Sequence, residues 1–218
     1  MSNKITNLLS VMRQLRHPET GCPWDRKQTY ESIAPYTIEE AYEVEDAVER
    51  KDIEALKSEL GDLLFQVVFY SQIANEDGEF SFDDVVEAIT EKMVARHPHV
   101  FSNETFHNAE EQTNNWEAHK QEERSRRAAL EKRSISILDD VPKNLPALVR
   151  AKKLTKRAAT VGFDWPQTDQ VVAKIDEELA EVKAEINANT SQNCLEDEIG
   201  DLLFTVANLA RHYKIDPE

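Results

Sequence analysis

One acidic motif occurs twice in this chain. Glu59-Leu-Gly-Asp62-Leu-Leu-Phe65-Gln-Val67 returns as Glu198-Ile-Gly-Asp201-Leu-Leu-Phe204-Thr-Val206. Upstream, Glu39-Glu40-Ala-Tyr-Glu43 returns as Glu177-Glu178-Leu-Ala-Glu181, and the interval between the two halves is nearly the same in both copies. A chance match of both halves at that interval is not expected, so the chain carries two related units, each a piece of supersecondary structure. Apolar residues around the motifs recur at helical spacing. The chain has 5 Gly in 218 residues and is rich in Glu, Lys, Ala and Leu, which favours long helices over strands. The expected fold is therefore all-α, with two tandem related helical modules.

The first module is expected over residues 1–133, a linker over 134–146, and the second module over 147–218. Ile5, Leu8, Leu9, Met12 and Leu15 mark a first amphipathic helix, and His17–Asp25 a loop. Thr37 reads as an N-cap for a helix over about 38–50. A second helix, over about 53–74, would turn Leu56, Leu60, Leu63, Leu64, Val67, Val68 and Ile73 inward. Ser81 with Asp84 can cap a helix that stops at His97, before Pro98. A charged helix over about 110–133 precedes the linker. The second module reads as helices over about 147–159, 170–189 and 194–213.

Formal net charge is −16. That balance argues against non-specific binding to nucleic acid or an anionic membrane, both of which want a basic surface. No apolar run approaches the roughly 20 residues that span a bilayer, and the N-terminus lacks a signal peptide's pattern. Two cysteines, Cys22 and Cys194, offer neither a disulfide framework nor zinc spacing. The expectation is a cytoplasmic protein.

Each module places Glu-Glu-x-x-Glu on one helix and Glu-x-x-Asp on the next. Residues three apart share a helix face, so Glu40 and Glu43 point together, as do Glu59 and Asp62. A short connection makes the two helices antiparallel neighbours. The two acidic pairs then face one another, and their repulsion calls for cations. All-oxygen ligands suit Mg²⁺, with Mn²⁺ as a substitute, and Mg²⁺ shares its shell with substrate phosphates. The same logic groups Glu178, Glu181, Glu198 and Asp201. Against it stand the ordinary roles of helical acids: solvation, and for Glu40 a capping box with Thr37. Gly61 and Gly200 lie mid-helix, where glycine costs about 1 kcal/mol relative to alanine. They serve either a close helix approach or access for a substrate.

These motifs resemble the MazG family of the all-α nucleoside triphosphate pyrophosphohydrolases. The likeness includes Gly21-Cys-Pro-Trp-Asp25, the acidic pairs, Arg96-His-Pro-His-Val-Phe101, Leu138-Asp-Asp-Val-Pro142 with Leu145-Pro-Ala-Leu148, and Val161-Gly-Phe-Asp-Trp165. The resemblance implies a homodimer that depends on Mg²⁺ and cleaves nucleoside triphosphates to monophosphate and pyrophosphate. It implies catalysis mainly in the second module, with metal ligands Glu178, Glu181, Glu198 and Asp201. Lys174, one turn earlier, is a candidate phosphate contact. The family's pattern continues with a further helix bearing phosphate-binding Lys and Arg, which this sequence does not reach. Lys92 and Arg96 are the first module's counterpart, or else a cation pair favoured by a helix C-terminus.

The mechanism expected is attack of a cation-activated water on phosphorus, with Glu177 or Glu39 orienting or deprotonating it. Trp24 either stacks on a base or packs its loop. A Nudix hydrolase is disfavoured, because its glutamate-rich box is not matched in order or spacing. A zinc site is disfavoured too, because His97 and His99 lack partner ligands. The alternative is a catalytically impaired dimeric helical regulator that keeps the acidic motifs as relics.

Overall fold

The computed structural model describes residues 3–102, 125–126, 129, 134, 136–139 and 141–218. It divides into two compact units, Met1–Ala109 and Glu110–Glu218. Among the described residues every regular element is a helix. Most of the charged helix expected over 110–133 lies outside them.

The first unit contains α1 (Asn3–Leu15), α2 (Tyr30–Glu49), α3 (Ile53–Glu76), α4 (Phe82–Arg96) and the short α5 (Pro98–Phe101). Met12, Ile33, Val68, Phe69 and Ile73 form its core, closed by Leu8, Leu9, Phe65 and Phe82. Arg16 pins the loop between α1 and α2 to this core. Its Nη1 donates to the carbonyls of Asp25 (2.6 Å) and Gln28 (3.2 Å), its Nη2 reaches Glu76 Oε2 at 2.7 Å, and its guanidinium lies 5.3 Å from the Phe69 ring centre. Gly21 in this loop is required sterically. A Cβ there would sit 2.4 Å from the Leu15 carbonyl oxygen and 2.6 Å from the His17 backbone.

Helix α2 begins eight residues before the sequence predicts. Thr29, not Thr37, is the N-cap, in a reciprocal capping box with Ser32. Pro35 lies inside the helix, where only one backbone hydrogen bond is forfeited. Thr37 instead meets the Tyr70 hydroxyl at 3.0 Å, so Glu40 is released from any capping role. Ser81 caps α4 as expected, with Asp84 completing the box.

The second unit contains α6 (Ala147–Ala159), α7 (Thr168–Ala188) and α8 (Gln192–His212), with α7 and α6 both packed on α8. The repeat extends to backbone conformation. Lys51 and Asn189 follow Glu43 and Glu181 by the same number of residues, and both are left-handed (φ 55° and 51°). Each ends the first helix of its pair. In the first copy the cap of the next helix, Asp52, follows at once. In the second, Thr190 intervenes before the cap Ser191. That one residue accounts for the slight difference in motif spacing.

The stripe predicted for α3 is only partly inward. Val68 and Ile73 are buried, but Leu60, Leu64 and Val67 are exposed, Leu60 by half. On α8 the equivalent Ile199, Leu203 and Val206 are exposed too, and so is Phe204. These helices carry apolar residues around more than one face, and a single unit covers only one. Gly61 and Gly200 share this openness, since no atom lies within 4 Å of a Cβ built on either. Close helix approach within a unit therefore does not explain them. Phe69→Ala is expected to cost about 3–5 kcal/mol and Thr29→Ala about 1 kcal/mol, both measurable by chemical denaturation.

Candidate metal centre

The helix pairs bring acids together in both units. Carboxylate oxygens of Glu40, Glu43 and Glu59 lie within 4.8 Å of one another, as do those of Glu178, Glu198 and Asp201. The fourth predicted acid of each set stands beside its cluster. The charge of Asp62 acts on Glu40, and Glu178 and Glu198 act on Glu181. The two sets differ in burial. Glu178 is 4% exposed, whereas its counterpart Glu40 is half-buried and Glu43 is exposed.

Electrostatic stress is visible in each set. Desolvation, then repulsion from Asp62 and Glu43, raises the Glu40 carboxyl above the usual carboxylate range. Desolvation, then Glu178 and Glu198, does the same for Glu181. The donor set is entirely carboxylate oxygen, the chemistry that Mg²⁺ and Mn²⁺ take. The residues present therefore fit a divalent cation.

The units also differ in their cationic side. Lys174 Nζ donates to Glu177 Oε1 and to Glu178 Oε1, both at 2.8 Å. These hydrogen bonds, the one to Glu177 first, keep the ammonium charged far above its ordinary range. Lys174 thus touches both the buried ligand candidate and the candidate base, and Glu177 itself is exposed. In the first unit Glu39 is exposed, and Lys92 and Arg96 share α4, Lys92 exposed and Arg96 half-buried. Trp24 is 52% exposed, with an edge-on contact to Tyr36 at 6.0 Å.

A second network in the Glu110–Glu218 unit was not anticipated from sequence. Asp164 Oδ1 accepts from Arg211 Nη2 (2.6 Å) and lies 3.1 Å from His212 Nε2. Burial pushes this carboxyl up, but the hydrogen bonds and charges of Arg211 and His212 together outweigh it, and the net shift is downward. Arg211 Nε also donates to Asn208 Oδ1 at 2.9 Å. The signal was present as Asp164 within Val161-Gly-Phe-Asp-Trp165, where Gly162 supplies a backbone turn at φ 80°.

Known proteins share this sequence pattern. The model of the MazG nucleotide pyrophosphohydrolase domain matches residues 28–101 and 167–218. A nucleoside triphosphate pyrophosphohydrolase of Escherichia coli (strain K12) is 53% identical over 211 residues, covering 96% of this chain and 78% of its own. The nucleoside triphosphate pyrophosphohydrolase/pyrophosphatase MazG of Thermotoga maritima is 43% identical over 211 residues, with coverages of 97% and 77%. The nucleoside triphosphate pyrophosphohydrolase of Mycobacterium tuberculosis is 36% identical over 162 residues, with coverages of 73% and 46%.

The raised carboxyls give a signed prediction. A carboxyl whose folded pKa is raised favours the folded state when protonated, and that contribution is lost as pH rises through the raised value. A bound cation would remove the same stress, because it favours the folded chain by mass action. Mg²⁺ is therefore expected to raise Tm by several degrees at about pH 7.5 and by little at about pH 4.5, measured by scanning calorimetry. Glu178→Gln should shrink the difference.

Proposed function

This chain belongs to the MazG family of nucleotide pyrophosphohydrolases, and from that premise we propose that it hydrolyses nucleoside triphosphates to the monophosphate and pyrophosphate. The observation that carries the reading is the convergence of Glu178, Glu198 and Asp201 on paired helices, with Lys174 against one of them. In this proposal Glu178, Glu181, Glu198 and Asp201 hold Mg²⁺, and Mn²⁺ can replace it. The cation, when bound, offsets triphosphate charge and acidifies water. Glu177 orients the attacking water and takes its proton, since it is exposed and fixed by Lys174. Lys174 has three donors, so it meets a phosphate oxygen of the triphosphate while keeping its hold on Glu177.

In the first module Glu40, Glu43, Glu59 and Asp62 form the parallel cation site, with Glu39 as its base and Lys92, Arg96 and Trp24 on the substrate side. We favour the second module as the working one, because its central ligand is the more buried and its lysine is already engaged. Charge interactions strengthen as water is excluded. The exposed Leu60, Leu64, Val67, Ile199, Leu203 and Val206 support a homodimer, since apolar stripes on paired helices are commonly covered by a second copy. Among the described residues no helix is long and apolar enough to cross a membrane.

Pyrophosphate and monophosphate release from a panel of NTPs, with and without Mg²⁺, tests this reading. Glu178→Gln with Asp201→Asn should lower kcat/KM by about a hundredfold or more, and Glu40→Gln with Glu59→Gln by much less. Lys174→Ala should act chiefly on KM. Release of orthophosphate and NDP would refute the assigned bond. No turnover with any cation would favour a regulator that keeps relic acids.

A further inference from the structure

Helix α6 reverses the charge of the chain around it. It carries Arg150, Lys152, Lys153, Lys156 and Arg157 and no acid, in a chain of formal net charge −16. Its Ala151 and Thr155 are buried, and the helix packs on α8. Arg150, Lys153 and Arg157, three and seven residues apart, form a ridge along a different side of the helix.

The two arginines of this ridge are half-buried. Each has one nitrogen shut off from water with no hydrogen-bond partner, Nε of Arg150 and Nη1 of Arg157. Among the described residues no hydrogen bond or ion pair engages the side chain of Arg150, Lys153 or Arg157. Other arginines of low exposure are matched with acids, Arg16 with Glu76 and Arg211 with Asp164. A partly desolvated guanidinium without an acceptor is unfavourable, and an anion that lands on its open nitrogens offsets that loss.

The N-terminus of α6 does not compete for that anion. Glu218 Oε2 already accepts from the backbone N–H groups of Leu148 and Val149, at 3.2 and 3.4 Å. Lys152 is committed to Asp216 at 3.7 Å. Seven residues of helix span about 10 Å, so the three cations of the ridge are strung out in a line. A guanidinium offers paired N–H donors that match two phosphate oxygens, and lysine adds a point charge. Linked phosphates match that line better than one phosphate does. The net charge of the chain repels polyanions elsewhere, and α6 is where that field is reversed.

We propose that Arg150, Lys153 and Arg157 form a binding site for a chain of linked phosphates, and that this site works without a divalent cation. It goes beyond the hydrolysis proposed above, because it uses none of the carboxylates of either cluster.

Calorimetric titration of tripolyphosphate into the protein tests this, in buffer stripped of divalent cations by chelating resin. The parent should bind saturably, and orthophosphate should bind about tenfold more weakly, since it meets fewer donors. Arg150→Gln and Arg157→Gln should each weaken tripolyphosphate binding by about tenfold or more, the worth of a hydrogen bond between charged groups. Lys153→Gln, a change at an exposed position, should weaken it about threefold. Asp201→Asn should leave it unchanged. Circular dichroism checks that each variant folds, and Lys153→Gln still decides the matter if an arginine variant does not. No binding by the parent, binding that no ridge variant weakens, or binding lost in Asp201→Asn would overturn the inference. Orthophosphate binding as tightly as the chain would overturn it too. So would a dimer that loosens in Arg150→Gln while tripolyphosphate is ignored, seen by sedimentation, because carboxylates of a second copy would then be the partners of the ridge.

Discussion

Mutual repulsion among carboxylates is the constraint on which this structure turns. Three acids within 4.8 Å of one another, one of them buried, are unfavourable in a protein without counter-charge. Two helices packed side by side can impose that arrangement, because each presents acids three residues apart on one face. The pairing of α2 with α3, and of α7 with α8, therefore brings the acids together. Left-handed Lys51 and Asn189 reverse the chain at equivalent points, and side-chain caps from Asp52 and Ser191 restart it.

Duplication of this element has not given two equal sites. In the second unit Glu178 is sealed from solvent and bonded to Lys174, while its counterpart Glu40 in the first unit is only half-buried. Burial strengthens interaction with an incoming cation and also raises the cost of having none. Among the described residues the first unit has the larger apolar core, and Arg16 ties α1, the following loop and α3 together. These differences in packing distinguish the two copies of the element.

The repeat and the helical periodicity make the architecture legible from the residues alone. The acidic spacing also identifies which carboxylates converge. What sequence does not convey comes from tertiary competition. Thr37 follows Pro35 and resembles a cap, but Thr29 with Ser32 satisfies the helix start eight residues earlier. Leu60, Leu64 and Val67 continue the apolar pattern of α3 yet lie outside the core of their unit, because periodicity reports a face and not what covers it. The Val161–Trp165 motif marks Asp164, but its pairing with Arg211, 47 residues away, is set by tertiary packing and has no local signature.

Direct observation of the cation tests the central claim. Mn²⁺ titrated into the protein can be followed by the loss of its free electron paramagnetic resonance signal. The account predicts saturable binding that weakens about tenfold or more in Asp201→Asn and competes with Mg²⁺. Binding unchanged by Asp201→Asn and by Glu178→Gln, or absent from the parent, would contradict it.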